Sequence, residues 1–389
     1  MFYIWFLSVA IFFFYLIAES ILLNKQRESI PLRITVTGIR GKTSVVRLLA
    51  SVLRYDEKNV VAKTTGAKPC LIYQDGTEEV LKRRGLPSIL EQKKLIKTAH
   101  KVNADVIVSE IMSIHPENHY IESQKILKPH IVAITNFRLD HTEAMGKTKE
   151  NIAEVFCSDI PQKTTVFIPE KEKNSVILNC LKEKNCKNIE VKDNISKSCM
   201  TNIKKTPHHV FPADLDTVYS ICNHLNIDKK VIEKGVINVS TDSGSLKIWE
   251  YRNNNKNLFL INGFGANDPE STLKTISKIK NILPADQKKI TGLLCLRKDR
   301  GDRTLQWISF LKNNQDQIFD SLFVTGGHSK YVERKLKQVT LIKTKKPEEI
   351  TEKICSHLKN QSVLLGFGNF KKTGNKLVNY WEKIGKKYY

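Results

Sequence analysis

The sequence predicts an α/β protein of two domains, a phosphate-binding-loop domain and a smaller Rossmann-like one, behind a single N-terminal transmembrane helix. Three observations carry that expectation. Strand-like apolar runs alternate with helix-like amphipathic stretches through most of the 389 residues. A glycine loop, Gly38-Ile39-Arg40-Gly41-Lys42-Thr43-Ser44, stands between one such strand and one such helix. Phe2 to Leu23 is an almost unbroken apolar run.

The apolar run comes first, and residues 1–24 are assigned to a membrane anchor. Ser8, Glu19 and Ser20 are its clear exceptions. As a helix it is roughly 33 Å long, enough for a bilayer core. It lacks the charged start and small-residue cleavage site of a secretory signal. A buried core helix is the competing reading, and the lack of polar residues from 9 to 18 argues against it. Lys25, Arg27 and Arg33 follow the run, so the positive-inside rule puts the N-terminus outside and the body in the cytoplasm. The expected location is the cell membrane, crossed once. Glu19 falls near the inner end, where a carboxylate reaches the interface or a partner helix.

Residues 30–243 are expected to form the first domain. Leu32 to Val36 reads as a buried strand, and Val45 to Leu53 as a helix with apolar residues at 45, 46, 48, 49, 52 and 53. Strand, glycine loop, Lys-Thr and helix are the context that binds nucleotide phosphates. Backbone N–H groups of Gly38 to Ser44 approach the phosphates, and the helix N-terminus adds partial positive charge. Lys42 then reaches the β- and γ-phosphates of ATP, and the Thr43 hydroxyl ligates Mg²⁺. The spacing is short: the longer pattern would put glycine where Val36 stands. Further strands are expected from Val60-Val61, at Asp105 to Glu110, at His130 to Asn136 and at Thr165 to Ile168. Glu110 and Asn136 end their strands, where ligands sit in parallel sheets. Glu110 there can share Mg²⁺ with Thr43, or be an ordinary carboxylate at a strand end. Asp140-His141 follow Asn136 on a loop, and His141 is favoured as a metal ligand over a structural His by that placement. Residues 170 to 210 are Lys- and Asn-rich and read as peripheral elements. Ala213 to Asn226 reads as an amphipathic helix, and the turn-rich Ser240 to Ser245 marks the boundary.

Residues 244–389 are expected to form the second domain. Its strands are Leu258 to Asn262, Ile290 to Leu296, Ser321 to Thr325 and Ser362 to Gly366. Its helices are Pro269 to Ile282, Thr304 to Leu311, Ser329 to Leu336 and Glu348 to Leu358. Asn267 and Asp268 follow the first of these strands on a turn that opens a helix. Asp268 before Pro269 is also a helix N-cap. Arg297 and Arg300 suit bidentate recognition of phosphate or carboxylate, with a solvated loop as the alternative. Glycine-rich turns at Gly326-Gly327 and Gly366 to Gly368 either line a ligand crevice or simply join strand to helix.

Composition narrows the classes. Hydrophobic residues make up 41%, enough for sizeable cores. The 8 cysteines contain no CxxC pair, which excludes a zinc framework and a disulfide scaffold and fits a reduced compartment. The net charge of +23 brings no nucleic-acid recognition motif with it, so no nucleic-acid partner is expected. An anionic membrane, a polyanionic substrate, or merely Lys-rich solvated faces account for the charge.

The short Gly-x-x-Gly-Lys-Thr loop, with Thr135-Asn136 and Asp140-His141, resembles the Mur ligase and folylpolyglutamate synthase superfamily. Five ordered segments narrow the resemblance: Thr64-Thr65-Gly66; Arg83-Arg84-Gly85-Leu86-Pro87 with Glu91-Gln92; Arg138 to His141 with Met145-Gly146; Ala266 to Thr272; and Arg297 to Arg300 with Arg303-Thr304. Together they look like the poly-γ-glutamate synthase subunit family PgsB/CapB, in one register over nearly the whole chain. The resemblance implies a Mur-ligase-like central ATPase domain and an ATP-dependent ligase that adds glutamate to an anionic poly-γ-glutamate chain through an acyl phosphate. It implies a second Mg²⁺ on His141, Asn267 and Asp268 on a turn that contacts the nucleotide and substrate, arginines of the second domain completing the site, and integral membrane subunits as partners. Self-association into a homo-oligomer is left open. The chain departs from the superfamily where a carbamylated Lys often follows the metal-binding His; Phe156 stands in that vicinity. Two alternatives stay open at this point: another ligase of the superfamily, and a non-ligase membrane-associated phosphate-loop ATPase.

Overall fold

The computed structural model describes residues 2–66, 68–83, 85, 87–199, 210–253, 256–283 and 290–388. Arg84, Leu86 and residues 200–209, which fall in segments discussed above, lie outside the described residues. The chain divides into two compact units, Met1–Ser240 and Thr241–Tyr389.

The first unit is built on an eight-stranded sheet, with strands β1 (Leu32–Thr37), β2 (Val60–Thr64), β3 (Cys70–Ile72), β4 (Glu78–Val80), β5 (Val106–Glu110), β6 (Ile131–Ile134), β7 (Thr165–Pro169) and β8 (Lys187–Val191). Their order is β4-β3-β2-β5-β1-β6-β7-β8, parallel from β2 to β8. β3 and β4 add an antiparallel edge. Strands buried on both faces read as continuous apolar runs, which is why β5, β6 and β7 were visible in the sequence. β1 lies between β5 and β6, which leave it on opposite sides, and a crevice opens at such a switch point. One core is formed where helix Lys42–Tyr55 packs with Leu215, Val218 and Ile232 against the sheet. The helix begins at Lys42, three residues before the expected Val45, so Lys42, Thr43 and Ser44 occupy its first turn.

The second unit carries a seven-stranded sheet of β9 (Lys247–Asn253), β10 (Lys256–Asn262), β11 (Ile290–Leu296), β12 (Ser321–Gly326), β13 (Val339–Leu341), β14 (Val363–Gly368) and β15 (Lys386–Lys387). Its order is β13-β12-β11-β14-β10-β9-β15. The strands expected at 258, 290, 321 and 362 form its parallel centre. β9 went unforeseen because this antiparallel strand, Lys-Ile-Trp-Glu-Tyr-Arg-Asn, contains no continuous apolar run. The core is dominated by Trp307, Phe367 and Phe319, with Phe319 and Phe367 stacked at 5.1 Å.

Among the described residues, one helix is long and apolar enough to cross a membrane; it runs Phe2–Glu28. Its large apolar side chains from Tyr3 to Leu22 are mostly exposed. Its C-terminal end is tied to the first unit. Glu19 pairs with Lys93 at 2.8 Å, and Arg27, itself buried, donates to the carbonyls of Lys125 and Ile126 and to Asn24. The last turns of this helix are therefore part of the folded body.

Candidate active site

The site grows from the C-terminal ends of β1, β5 and β6. Register sets Val36 beside Glu110 and Thr37 beside Ile134, so the loop from Gly38 opens between Glu110 and Thr135-Asn136. Two glycines are required by geometry. Gly38 has φ 126°, and a Cβ there would stand 2.1 Å from Thr135 Oγ1. Gly41 has φ 89°, and its Cβ would meet Asp214 Oδ1 at 2.4 Å. Both are left-handed conformations that glycine adopts without a steric cost.

The loop is held from β6. Asn136 Oδ1 accepts from Arg40 N at 3.2 Å, and its Nδ2 donates to Arg40 O at 2.8 Å. Ile39 N donates to Asn136 O at 3.2 Å. The Lys42 ammonium folds back to donate to Gly38 O. Burial lowers the Lys42 pKa, while the charge of Glu110 acts to hold its proton. Below the loop, Thr37 Oγ1 donates to the buried Asp159 at 2.5 Å, and His119 Nδ1 lies 2.8 Å from its other oxygen.

Asp140 connects the loop to His141. Its Oδ2 accepts from Arg40 Nη2 at 3.2 Å, and its Oδ1 from the His141 peptide N at 2.9 Å. His141 has φ 50°, and its Nε2 is 3.8 Å from Asp140 Oδ2.

Glu110 is 1% exposed. Its Oε2 accepts from Thr65 Oγ1 at 2.5 Å, and its buried Oε1 has no hydrogen-bond partner among the described residues. A buried carboxylate oxygen without a donor is costly unless a ligand meets it. With the Thr43 hydroxyl in the first helical turn, this oxygen fits a hard cation of the Mg²⁺ type, which takes few protein ligands alongside phosphate and water. Among the described residues no group of three or more His, Cys, Asp and Glu converges as a metal centre, so His141 is not gathered with Glu110 into one.

Beside Glu110 lies a buried polar cluster. Gln92 Nε2 donates to Glu110 O at 3.0 Å and to Glu122 Oε1 at 2.6 Å, and its Oε1 accepts from Ser109 Oγ at 2.9 Å. Glu122 also accepts from Met112 N, Ser113 N and Ser113 Oγ. Burial raises the Glu122 pKa, against the pull of the Ser113 and Gln92 donors. Lys63, near the end of β2, is buried in the same cluster. Neither Lys63 nor Glu122 was singled out from sequence, though a lysine inside Val-Val-Ala-Lys-Thr was a visible oddity. Asp159 and His119 gave no pattern at all.

In the second unit Asp268 caps helix Pro269–Ile282, accepting from Ser271 N and Oγ, each at 2.8 Å. With its amide nitrogen facing carbonyls, Asn267 donates to Phe264 O and Gly368 O and accepts from Arg303 Nη1 at 3.2 Å. That arrangement ties together the turns after β10 and β14. Arg297 makes a bidentate pair with Asp299, and Arg300 with Asp302. The hydrogen bond from Arg297 brings the Asp299 pKa down to about 2. Both arginines expected to recognise a ligand thus each have a carboxylate two residues away.

Residues 36–265 match the Mur ligase middle domain, and residues 248–384 match the poly-gamma-glutamate synthase CapB C-terminal domain. The chain is 32% identical to PGA synthase CapB of Bacillus subtilis (strain 168) over 372 residues, 93% of this chain and 92% of that protein. This chain belongs to the poly-γ-glutamate synthase CapB family, within the Mur ligases. The capsule biosynthesis protein CapB of Bacillus anthracis is also 32% identical, over 73% of this chain and 61% of its own length. The CapB-family chain further shares its fold with the bifunctional folylpolyglutamate synthase/dihydrofolate synthase solved with Mn, AMPPNP and L-glutamate bound, at TM-score 0.69, 14% identity and coverage of 94% and 92%.

Proposed function

We propose that this chain is an ATP-dependent amide ligase that adds glutamate to poly-γ-glutamate, releasing ADP and phosphate. The observation that carries the reading is the unpartnered Glu110 Oε1 beside a short phosphate loop, in a chain of the CapB family. The γ-carboxylate of the acceptor attacks the γ-phosphorus of ATP, and the bond to the β-phosphate oxygen breaks. The resulting acyl phosphate is attacked at carbon by the amine of the next glutamate; the amine loses a proton and phosphate leaves. No protein nucleophile is required, so the work is positioning and charge neutralisation.

The residues divide that work. The backbone of Gly38 to Ser44 cradles phosphate, and the Asn136 clamp on Arg40 fixes its shape. Lys42 exchanges its bond to Gly38 O for phosphate oxygen. Thr43 and Glu110 would hold Mg²⁺, which supplies positive charge to the transferring phosphoryl group. His141, oriented through Asp140, is proposed as a ligand of a second Mg²⁺. Asn267, Asp268, Arg297 and Arg300 are proposed as the nucleotide- and anion-facing residues of the second unit. The two units, divided near residue 240, correspond to an ATP-binding and a Rossmann-like domain. Helix Phe2–Glu28 is proposed to span the cell membrane once with the body cytoplasmic, in association with integral membrane subunits of the synthase.

Mass spectrometry of products from membranes given ATP, Mg²⁺ and labelled glutamate tests the reading. Labelled γ-linked oligomers are expected. ATP hydrolysis that proceeds without glutamate, with no oligomer formed, would instead favour a non-ligase ATPase.

A further inference from the structure

Lys63 is an expensive residue to bury. Its side chain is 0% exposed, and burial lowers its pKa against the charges of Glu122, Glu91 and Glu110. Its ammonium carries three N–H bonds. Among the described residues it makes no hydrogen bond to oxygen: it faces Glu91 Oε2 at 3.5 Å and Met112 Sδ at 3.7 Å. Charge-assisted N–H···O bonds are ordinarily about 2.7–2.9 Å. The Glu91 carboxylate belongs first to Arg83, which grips it bidentately at 2.7 and 3.0 Å. Two cations thus converge on one carboxylate, and one of them is poorly served by it.

We propose that Lys63 and Arg83 form a recognition site for a carboxylate of a glutamyl substrate, and that Glu91 occupies this site until the substrate displaces it. The proposal rests on the ligase reading and gives that site its substrate-binding side. Position supports it. Lys63 pairs in register with Ser109, one residue before Glu110, and the Glu110 charge acts on its ammonium, so a carboxylate bound there lies near Glu110. Access supports it too: Glu91 and Arg83 are 15% and 20% exposed, so Glu91 can swing outward while Lys63 stays in place. Electrostatics supports it as well. Exchanging one carboxylate for another leaves the charge of the cluster unchanged, so no additional ion is buried without a partner. Gln92, the next residue, holds Glu110 and Glu122 in place through the exchange.

The test uses the full chain in detergent, ATP and Mg²⁺, with a γ-linked glutamate tetramer and free glutamate of each hand as the two carboxylate sources. Initial ADP release gives KM for each. Arg83→Gln and Lys63→Met are expected to raise KM for one of the two sources on the order of 10- to 100-fold, the loss of a charge-assisted hydrogen bond. Whichever KM moves names the source. Glu91→Gln is the deciding variant. A competing internal carboxylate predicts that its removal lowers the same KM several-fold, whereas a purely structural ion pair predicts a rise. Unchanged KM values in Arg83→Gln and Lys63→Met, or a raised KM in Glu91→Gln, would overturn the proposal. Should Lys63→Met not fold, the part-exposed Arg83 and Glu91 variants carry the test. If the wild-type chain releases no ADP with both sources present, the ligase reading fails. Equilibrium dialysis of labelled tetramer and labelled glutamate against wild type and Arg83→Gln then still decides the site, with equal binding counting against it.

Discussion

The side-chain amide of Asn136 brackets the peptide of Arg40, accepting from its N–H at 3.2 Å and donating to its carbonyl at 2.8 Å. A strand end thereby fixes the middle of the phosphate loop from 96 residues away in sequence. Replacing Asn136 with Ala removes both bonds and leaves a half-buried N–H without its acceptor. A loss of about 1–3 kcal/mol in stability is expected. Nucleotide affinity should fall as well, because the loop must then order on binding. Calorimetric titration with ADP beside a denaturant melt separates the two effects.

Lys42→Ala should abolish ADP formation in a folded protein. The helix Lys42–Tyr55 tolerates Ala at its start, since Ala is a good helix former. What disappears is the cation that neutralises charge in the transition state. Turnover near the wild-type rate, with an unchanged circular dichroism spectrum, would remove Lys42 from the mechanism.

Glu110→Ala and His141→Ala should both raise the Mg²⁺ concentration needed for half-maximal rate and should lower kcat more than they affect KM for ATP. Loss of metal-site residues typically costs on the order of 10-fold or more in metal affinity or activity. Glu110 is expected to show the larger effect, because its Oε1 is buried with no donor among the described residues. Asp140→Asn keeps an acceptor for Arg40 and should do less. Initial rates across a Mg²⁺ titration are the measurement. An unchanged dependence in His141→Ala would make this His structural.

Removing residues 1–18 should give a soluble body that binds ATP with native affinity. Removing residues 1–24 should also give a soluble, ATP-binding body, but one less stable. The second cut deletes Glu19 and Asn24, partners of Lys93 and Arg27, and Arg27 is 1% exposed. A lower Tm for the shorter form is expected. Equal melting of the two truncations would show that the inner turns of the helix add nothing to the body.

Lys63 gives a pH signature. Its folded pKa lies below the ordinary lysine value because burial disfavours the charged form. The unfolded chain therefore binds more protons between the folded value and about 10.4, and stability rises with pH across that window. Lys63→Met should flatten the rise. It should also lower stability at pH 7, because the buried Glu122 and Glu110 carboxylates lose a nearby cation. Denaturant melts of both proteins from pH 7 to 10 give the comparison, and equal slopes would contradict the assignment.

Much of this molecule was legible in the chain itself. Parallel strands buried on both faces appear as apolar runs, so β5, β6, β7, β10, β11, β12 and β14 could be placed nearly to the residue. The phosphate loop announces itself because close backbone approach and positive φ leave only glycine at Gly38 and Gly41. The apolar helix follows from composition alone. The boundary between its exposed part and the folded body did not, because Glu19 and Arg27 reveal their role only through partners on distant elements, Lys93 for the one and the carbonyls of Lys125 and Ile126 for the other. Tertiary structure likewise decided which polar residues act together. Asn136 on Arg40, Thr65 on Glu110, Asp159 on Thr37 and Glu91 between Arg83 and Lys63 each involve partners brought together by strand order or by helix docking. Sheet order comes from global packing, which no local period encodes. Arg297 and Arg300 show the reverse case. Their cationic chemistry is plain in the sequence, but only the fold shows that each one's partner is a nearby carboxylate two residues on.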